Sequence, residues 1–99
     1  MRVLLVEGEA ISAEAISLML RTEANAIVEV VDTGEETLER VRHSNYDLVI
    51  LNPVLPDIEG YEVIRRIRAR GQSIPVLVLT GFSRPETRVR TSASAPTTS

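Results

Sequence analysis

Apolar and polar positions alternate along the chain with two different periods. Val3-Leu4-Leu5-Val6 is an unbroken apolar run, the pattern of a strand buried on both faces of a sheet. From Ser12 to Glu23 the apolar residues Ala15, Ile16, Leu18, Met19 and Leu20 recur at helical spacing and leave Glu14 and Arg21 to solvent. Ile27-Val28-Glu29-Val30-Val31 predicts a second strand. Thr33-Gly34-Glu35-Glu36 has the form of a capping box, in which the Thr33 hydroxyl accepts from the Glu36 amide while the Glu36 side chain reaches back. The short helix it opens turns Leu38 and Val41 inward. Asp47-Leu48-Val49-Ile50-Leu51 is the most apolar strand and is expected at the sheet centre. A proline-bounded loop, Asn52 to Glu59, leads into a third helix over Gly60 to Arg70, with Val63, Ile64 and Ile67 inward and Arg65, Arg66, Arg68 and Arg70 outward. Gly71 suits its C-terminal stop. Ile74 to Thr80 reads as a fourth strand, with Pro75 near its start, where a missing backbone donor is tolerated.

Strand–helix alternation with short connections predicts parallel pairing through right-handed crossovers, hence an α/β fold built on an open doubly wound parallel sheet. In such sheets the functional crevice lies beyond the carboxyl ends of the strands. Here those ends are Glu7-Gly8-Glu9, Asn52 with its loop, and Thr80-Gly81. After Gly81 the character changes. Ser83 to Ser99 holds eight Ser/Thr residues, two prolines and three arginines. The chain therefore divides into a domain over residues 1–82 and a segment over 83–99. Within that segment Pro85 to Arg90 is read as a short helix or extended stretch, followed by a disordered Ser/Thr-rich tail. With no final strand–helix unit in the pattern, the fourth strand is expected to be an apolar sheet edge, one that the tail covers or a second copy pairs with.

Ninety-nine residues, 43% apolar and 25% charged, describe one globular domain. The net charge of −3 argues against a nucleic-acid partner. The absence of cysteine excludes disulfides and thiolate chemistry. No apolar stretch approaches the ~20 residues of a membrane span, so a cytoplasmic location without a membrane partner is expected. All eleven basic residues are arginines, so any mechanism that needs a lysine lacks one here.

Three stretches carry a resemblance to a known family. Arg2-Val-Leu-Leu-Val-Glu-Gly-Glu9 resembles the opening strand and acidic pair of the response-regulator receiver (CheY-like) domains of two-component systems. Tyr46-Asp-Leu-Val-Ile-Leu-Asn-Pro-Val-Leu-Pro-Asp-Ile-Glu-Gly60 resembles their third strand, phosphosite and following loop. Ile74-Pro-Val-Leu-Val-Leu-Thr-Gly81 resembles their fourth strand with its hydroxyl residue and small neighbour. The likeness covers residues 1 to about 82 and is nearest to receivers attached to winged-helix transcription regulators. It implies a flavodoxin-like sheet of strand order 2-1-3-4, here lacking the last strand–helix unit.

The resemblance also implies chemistry. A receiver takes a phosphoryl group onto an aspartate, with Mg²⁺ held by acidic residues and a backbone carbonyl, a lysine stabilising the transfer, and a hydroxyl that responds. Asn52 stands at the phosphoacceptor position and is a poor nucleophile. Glu7 matches the first acid. Gly8 falls where the second, metal-ligating acid is expected, and Glu9 is an acid one place further on. Val54 matches the residue whose carbonyl ligates the metal, and Thr80 and Gly81 match the switch hydroxyl and its small neighbour. Nucleophile, one ligand and lysine are all missing. The expectation is a pseudo-receiver with no catalytic residue and no cofactor, Glu7, Glu9 and the Val54 carbonyl being only residual metal candidates. It is expected to act by binding a histidine kinase, a phosphotransfer protein or a response regulator, as decoy, inhibitor or constitutive dimer partner. Two alternatives stand beside it: phosphorylation on another acid, Asp57 or Glu9, and a truncated remnant without function.

Overall fold

In a computed structural model of the chain, residues 1–80 and 88–91 are described, Thr80 and the last four as backbone alone. The elements are β1 (Arg2–Val6), α1 (Ala10–Glu23), β2 (Ile27–Val31), α2 (Gly34–His43), β3 (Leu48–Leu51), α3 (Gly60–Ala69), β4 (Val76–Thr80) and β5 (Arg88–Thr91). Four parallel strands run in the order 2-1-3-4, so the flavodoxin-like order holds and β3 is central. Side chains of successive strand residues point to opposite faces, which splits the core in two. Leu4, Val6, Val49, Leu51, Val76 and Val78 pack with Val41 of α2 and with Val63, Ile64 and Ile67 of α3. Val3, Leu5, Ile50 and Leu79 pack on the other face with Ala13 and Ile16 of α1.

The helix ends follow local chemistry. Thr33 Oγ1 accepts from the Glu36 amide at 3.1 Å, as the capping pattern requires. The other half of the box does not form. Glu36 turns outward to Arg40, at 3.2 Å, because an ion pair one turn along the helix competes for the same carboxylate. Gly71 ends α3 with φ at +84°, in the left-handed region where a Cβ is penalised.

Two expectations need correction. The buried face of α1 is narrower than the apolar spacing predicts. Ala13, Ile16 and Ser17 are buried, whereas Leu18 and Met19 are more than half exposed. Apolar residues at 15, 16, 18, 19 and 20 surround more than half the helix, so spacing alone does not choose the buried side. The second correction concerns β4, which is not an open edge. β5 pairs with it antiparallel, Leu79 opposite Val89 and Thr80 opposite Arg88, and supplies the ladder that a parallel fifth strand would otherwise make. Arg88 to Arg90 is therefore extended and not helical. A homodimer through an uncovered fourth-strand edge loses its basis, since the chain pairs with itself there.

Candidate functional site

The strand order reverses direction between β1 and β3, and the crevice at their carboxyl ends is the candidate site. Val6 is registered against Leu51, and the Asn52 amide continues the ladder to the Val6 carbonyl at 2.9 Å. The next residue on each strand, Glu7 and Asn52, therefore emerges side by side. Both share the alternation of Val3, Leu5 and Ile50 and so point to the α1 side of the sheet.

Glu7 is 4% exposed. Asn52 Nδ2 donates to both of its carboxylate oxygens, at 3.2 Å each. The Glu9 amide donates to Glu7 Oε2 at 3.0 Å. The orientation of the Asn52 amide follows from its other end. Oδ1 accepts from the Val54 amide at 3.0 Å, closing a turn across Pro53, and only an oxygen serves there. Nδ2 must then face Glu7. In the structure Asn52 is a donor that satisfies a buried acid.

Gly8 adds no ligand to this pair. A Cβ placed on it meets only the Asp32 carbonyl, at 3.9 Å, so the second acid is absent from a position with room for one. Glu9 is committed elsewhere. It caps α1, its Oε1 accepting from the Ser12 amide at 3.0 Å and the Ser12 hydroxyl at 2.7 Å. The Ser12 hydroxyl and amide hold its carboxyl below the usual range. Compensation for Gly8 by Glu9 is thus opposed by direction: its carboxylate turns along the helix end.

The residues present do not fit a hard divalent cation. Such an ion needs several converging anionic oxygens. Here the nearest side chain to Glu7 offers two N–H groups, and among the described residues no three acidic or histidine side chains converge. The Val54 position retains its carbonyl, on a residue 81% exposed, without carboxylates to share an ion with. Thr80 ends β4 as placed, but its hydroxyl, like all of Gly81, lies outside the described residues.

Asp57, the alternative acceptor, has a structural partner that sequence spacing did not reveal. From the loop after β3 its Oδ1 accepts from the Gly34 amide at 2.8 Å and its Oδ2 from the Glu35 amide at 2.9 Å. It caps the first turn of α2 from 23 residues away, and those two amides depress its pKa. The close approach needs Gly34, where a Cβ falls 2.9 Å from Val63 Cγ2. Gly60 holds the same loop from the other side. Its amide donates to the Pro53 carbonyl at 2.9 Å, and a Cβ there falls 2.5 Å from Pro53 Cα.

Comparison with known proteins agrees with the fold. The family model "Response regulator receiver domain" matches residues 3–95. The cell cycle response regulator CtrA of Brucella ovis is 39% identical over 90 residues, covering 91% of this chain and 38% of the relative. The chain thus spans well under half the length of such relatives. Among solved structures, the receiver domain of the sensor histidine kinase PA1611 from Pseudomonas aeruginosa, with a magnesium ion in its active-site cleft, superposes with a TM-score of 0.75 at 31% identity, covering 80% of this chain and 66% of that one. Full-length ShkA, in complex with AMPPNP, gives 0.74 at 32% identity over 78% of this chain and 16% of that one. The parallel strand order 2-1-3-4 agrees with these matches, and the chain belongs to the response regulator receiver domain family.

Proposed function

We propose that this receiver domain is phosphorylation-incompetent and works in two-component signalling by protein–protein contact, in the cytoplasm, with a histidine kinase, a phosphotransfer protein or a response regulator as partner. The observation that carries the proposal is the Asn52–Glu7 pair. An amide in the acceptor position is a weak nucleophile, and it also occupies the acid that would help hold a cation. Gly8 removes a further part of phosphoryl transfer, a second acid beside Glu7. The first four strands and three helices of the scaffold are kept, so that part of a receiver surface is available for contact without the chemical input.

Two measurements test this. The chain is incubated with a small phosphodonor and Mg²⁺, and its intact mass is recorded. An unchanged mass is expected, and a phosphoryl adduct overturns the first half of the proposal. Binding to purified kinases, phosphotransfer proteins and regulators of the source organism is then measured with and without donor and Mg²⁺. Affinity that is indifferent to both is expected. Binding that requires either, or no binding to any of them, overturns the second half.

A further inference from the structure

The outer face of α1 is apolar and open to solvent. Ala13 and Ile16 meet the sheet, while away from it Ile11 is 77% exposed, Leu18 56% and Met19 54%. A helix that is apolar all round is ordinarily buried all round. The other two helices are built for water instead: their exposed sides carry charges such as Glu39 and Arg42 on α2 and Arg65 and Arg66 on α3. The chain's own last residues do not suit the face, since Ser92 to Ser99 hold no large apolar side chain.

Two features point to what covers it. The first is a seam. Ile11, Ala15, Leu18 and Thr22 are all exposed and follow one another at intervals of four, three and four, the spacing at which one helix packs along another. When a second copy lies antiparallel across a two-fold axis, Ile11 faces Thr22 of that copy and Leu18 faces its Ala15. Each layer then sets a large side chain against a small one. Thr22 is suited to such a layer because its hydroxyl already donates to the Leu18 carbonyl at 2.9 Å. The second feature is charge. Glu14 and Arg21 flank the seam on one side, two turns apart, and neither is engaged in an ion pair among the described residues. The same antiparallel register brings Glu14 of each copy to Arg21 of the other, twice per dimer. A parallel register brings Glu14 to Met19 and leaves the charges unused. The face is thus complementary to itself, in one orientation.

We propose that two copies of this chain pair through α1, helix against antiparallel helix, along the Ile11–Ala15–Leu18–Thr22 seam. Two helices in contact over about 21 Å bury less than the ~1,200 Å² of a standard interface, so the dimer is weak, with a dissociation constant on the order of 100 µM. The surface lies away from position 52 and does not depend on whether the chain is phosphorylated.

Sedimentation equilibrium of the full chain from about 10 µM to about 1 mM spans the expected dissociation constant. A reversible monomer–dimer equilibrium is expected. Leu18→Glu should weaken it by about tenfold or more, as loss of a central apolar contact does. Glu14→Arg and Arg21→Glu should each weaken it by about threefold or more, since each turns two attractive pairs into repulsive ones. An equimolar mixture of those two variants should associate at least as tightly as the parent, because one copy then carries only arginine and the other only glutamate at the two positions. Glu39→Arg, on α2, should change nothing. All four positions are exposed, so melting temperatures close to the parent's are expected of every variant. A parent that stays monomeric throughout, a dimer undiminished by Leu18→Glu, or a mixture no tighter than either charge variant alone overturns the proposal. If the parent is monomeric and Leu18→Glu abolishes its binding to a kinase, a phosphotransfer protein or a regulator, the face belongs to that partner and the assignment to a second copy is overturned.

Discussion

The side-chain amide of Asn52 donates to both oxygens of the buried Glu7 carboxylate, 3.2 Å from each, across the point where the strand order reverses. Two carboxylates this close disfavour each other's ionised form. The Asn52 amide brings donors instead of a second charge. Position 52 is therefore part of the fold's own hydrogen bonding.

Asn52→Asp reverses that arrangement. It sets a second carboxylate beside Glu7 and removes a donor from a buried acceptor. Without a divalent ion at neutral pH, a loss of about 1–3 kcal/mol is expected, a fall of several degrees in melting temperature for a domain this small. Lowering the pH should return part of the loss as one carboxyl takes up a proton. Millimolar Mg²⁺ should raise the melting temperature of the variant and leave the parent unmoved. Thermal melts of both proteins with and without Mg²⁺ decide the matter, and equal stability in its absence counts against the account.

The three structured glycines near the site give a graded series. At Gly8 a new methyl meets only one oxygen at 3.9 Å, so Gly8→Ala should change stability by no more than about 0.5 kcal/mol. At Gly34 the methyl meets Val63 Cγ2 at 2.9 Å, a side-chain end that can shift, and Ile58 Cβ at 3.2 Å, which moves only with its backbone, and a cost of about 1–3 kcal/mol is expected. At Gly60 it meets the Pro53 backbone at 2.5 Å, which cannot rotate away, and about 3 kcal/mol or more is expected. Urea unfolding of the three variants should rank them in this order. A costly Gly8→Ala is the outcome that contradicts the open space beside Asp32.

How much of this was visible beforehand differs by the range of the interaction. The four strands and the inward faces of α2 and α3 rest on local periodicity, and Thr33 and Gly71 on local capping rules, so all were legible. The Asn52–Glu7 bond joins residues 45 apart and the Asp57 cap residues 23 apart. A sequence names such residues as candidates but does not say which way each turns. Glu9 illustrates the limit: as an acid beside Gly8 it reads as a spare ligand, yet Ser12 three residues on claims it. β5 reads from sequence only as a short helix or an extended stretch, for another reason. Arg88-Val-Arg-Thr91 carries one apolar residue and no strand signature of its own, and it is a strand because β4 presents an unfilled edge.

Glu29 should contribute to the acid sensitivity of the fold. It accepts from Tyr46 Oη at 2.5 Å, from Arg2 at 2.7 Å and from Arg40 at 2.9 Å, while the Arg2 guanidinium lies 5.0 Å from the Tyr46 ring centroid. The Tyr46 hydroxyl, then Arg2, lowers the Glu29 pKa below its ordinary 4.5. A depressed carboxyl contributes stability above its unfolded pKa and loses it as pH falls through the folded one, so the contribution is complete above about pH 4.5 and fades below. Tyr46→Phe keeps the buried ring and deletes one donor, and should cost about 1–2 kcal/mol at pH 7. That difference should shrink steadily below pH 4.5, as Glu29 is protonated in both proteins. Melting temperatures of parent and variant from pH 7 to pH 3 measure it, and a gap that stays constant with pH removes Glu29 as the cause.

The β4–β5 pairing predicts a change of association state. β5 satisfies the outer edge of a strand whose other neighbour is the central β3. A chain ending at Thr87 lacks β5 and presents the backbone of Val76–Thr80 as an open apolar ladder, the kind of edge that recruits another strand. Such a chain should sediment as dimers or larger species at tens of micromolar, with the fraction rising with concentration. The parent should gain no mass through this edge over the same range. Restoring residues 88–91 behind a flexible linker should reverse the association, since pairing within the chain has the higher effective concentration. If the shortened chain stays monomeric with an unchanged melting temperature, β5 contributes nothing to closing the sheet.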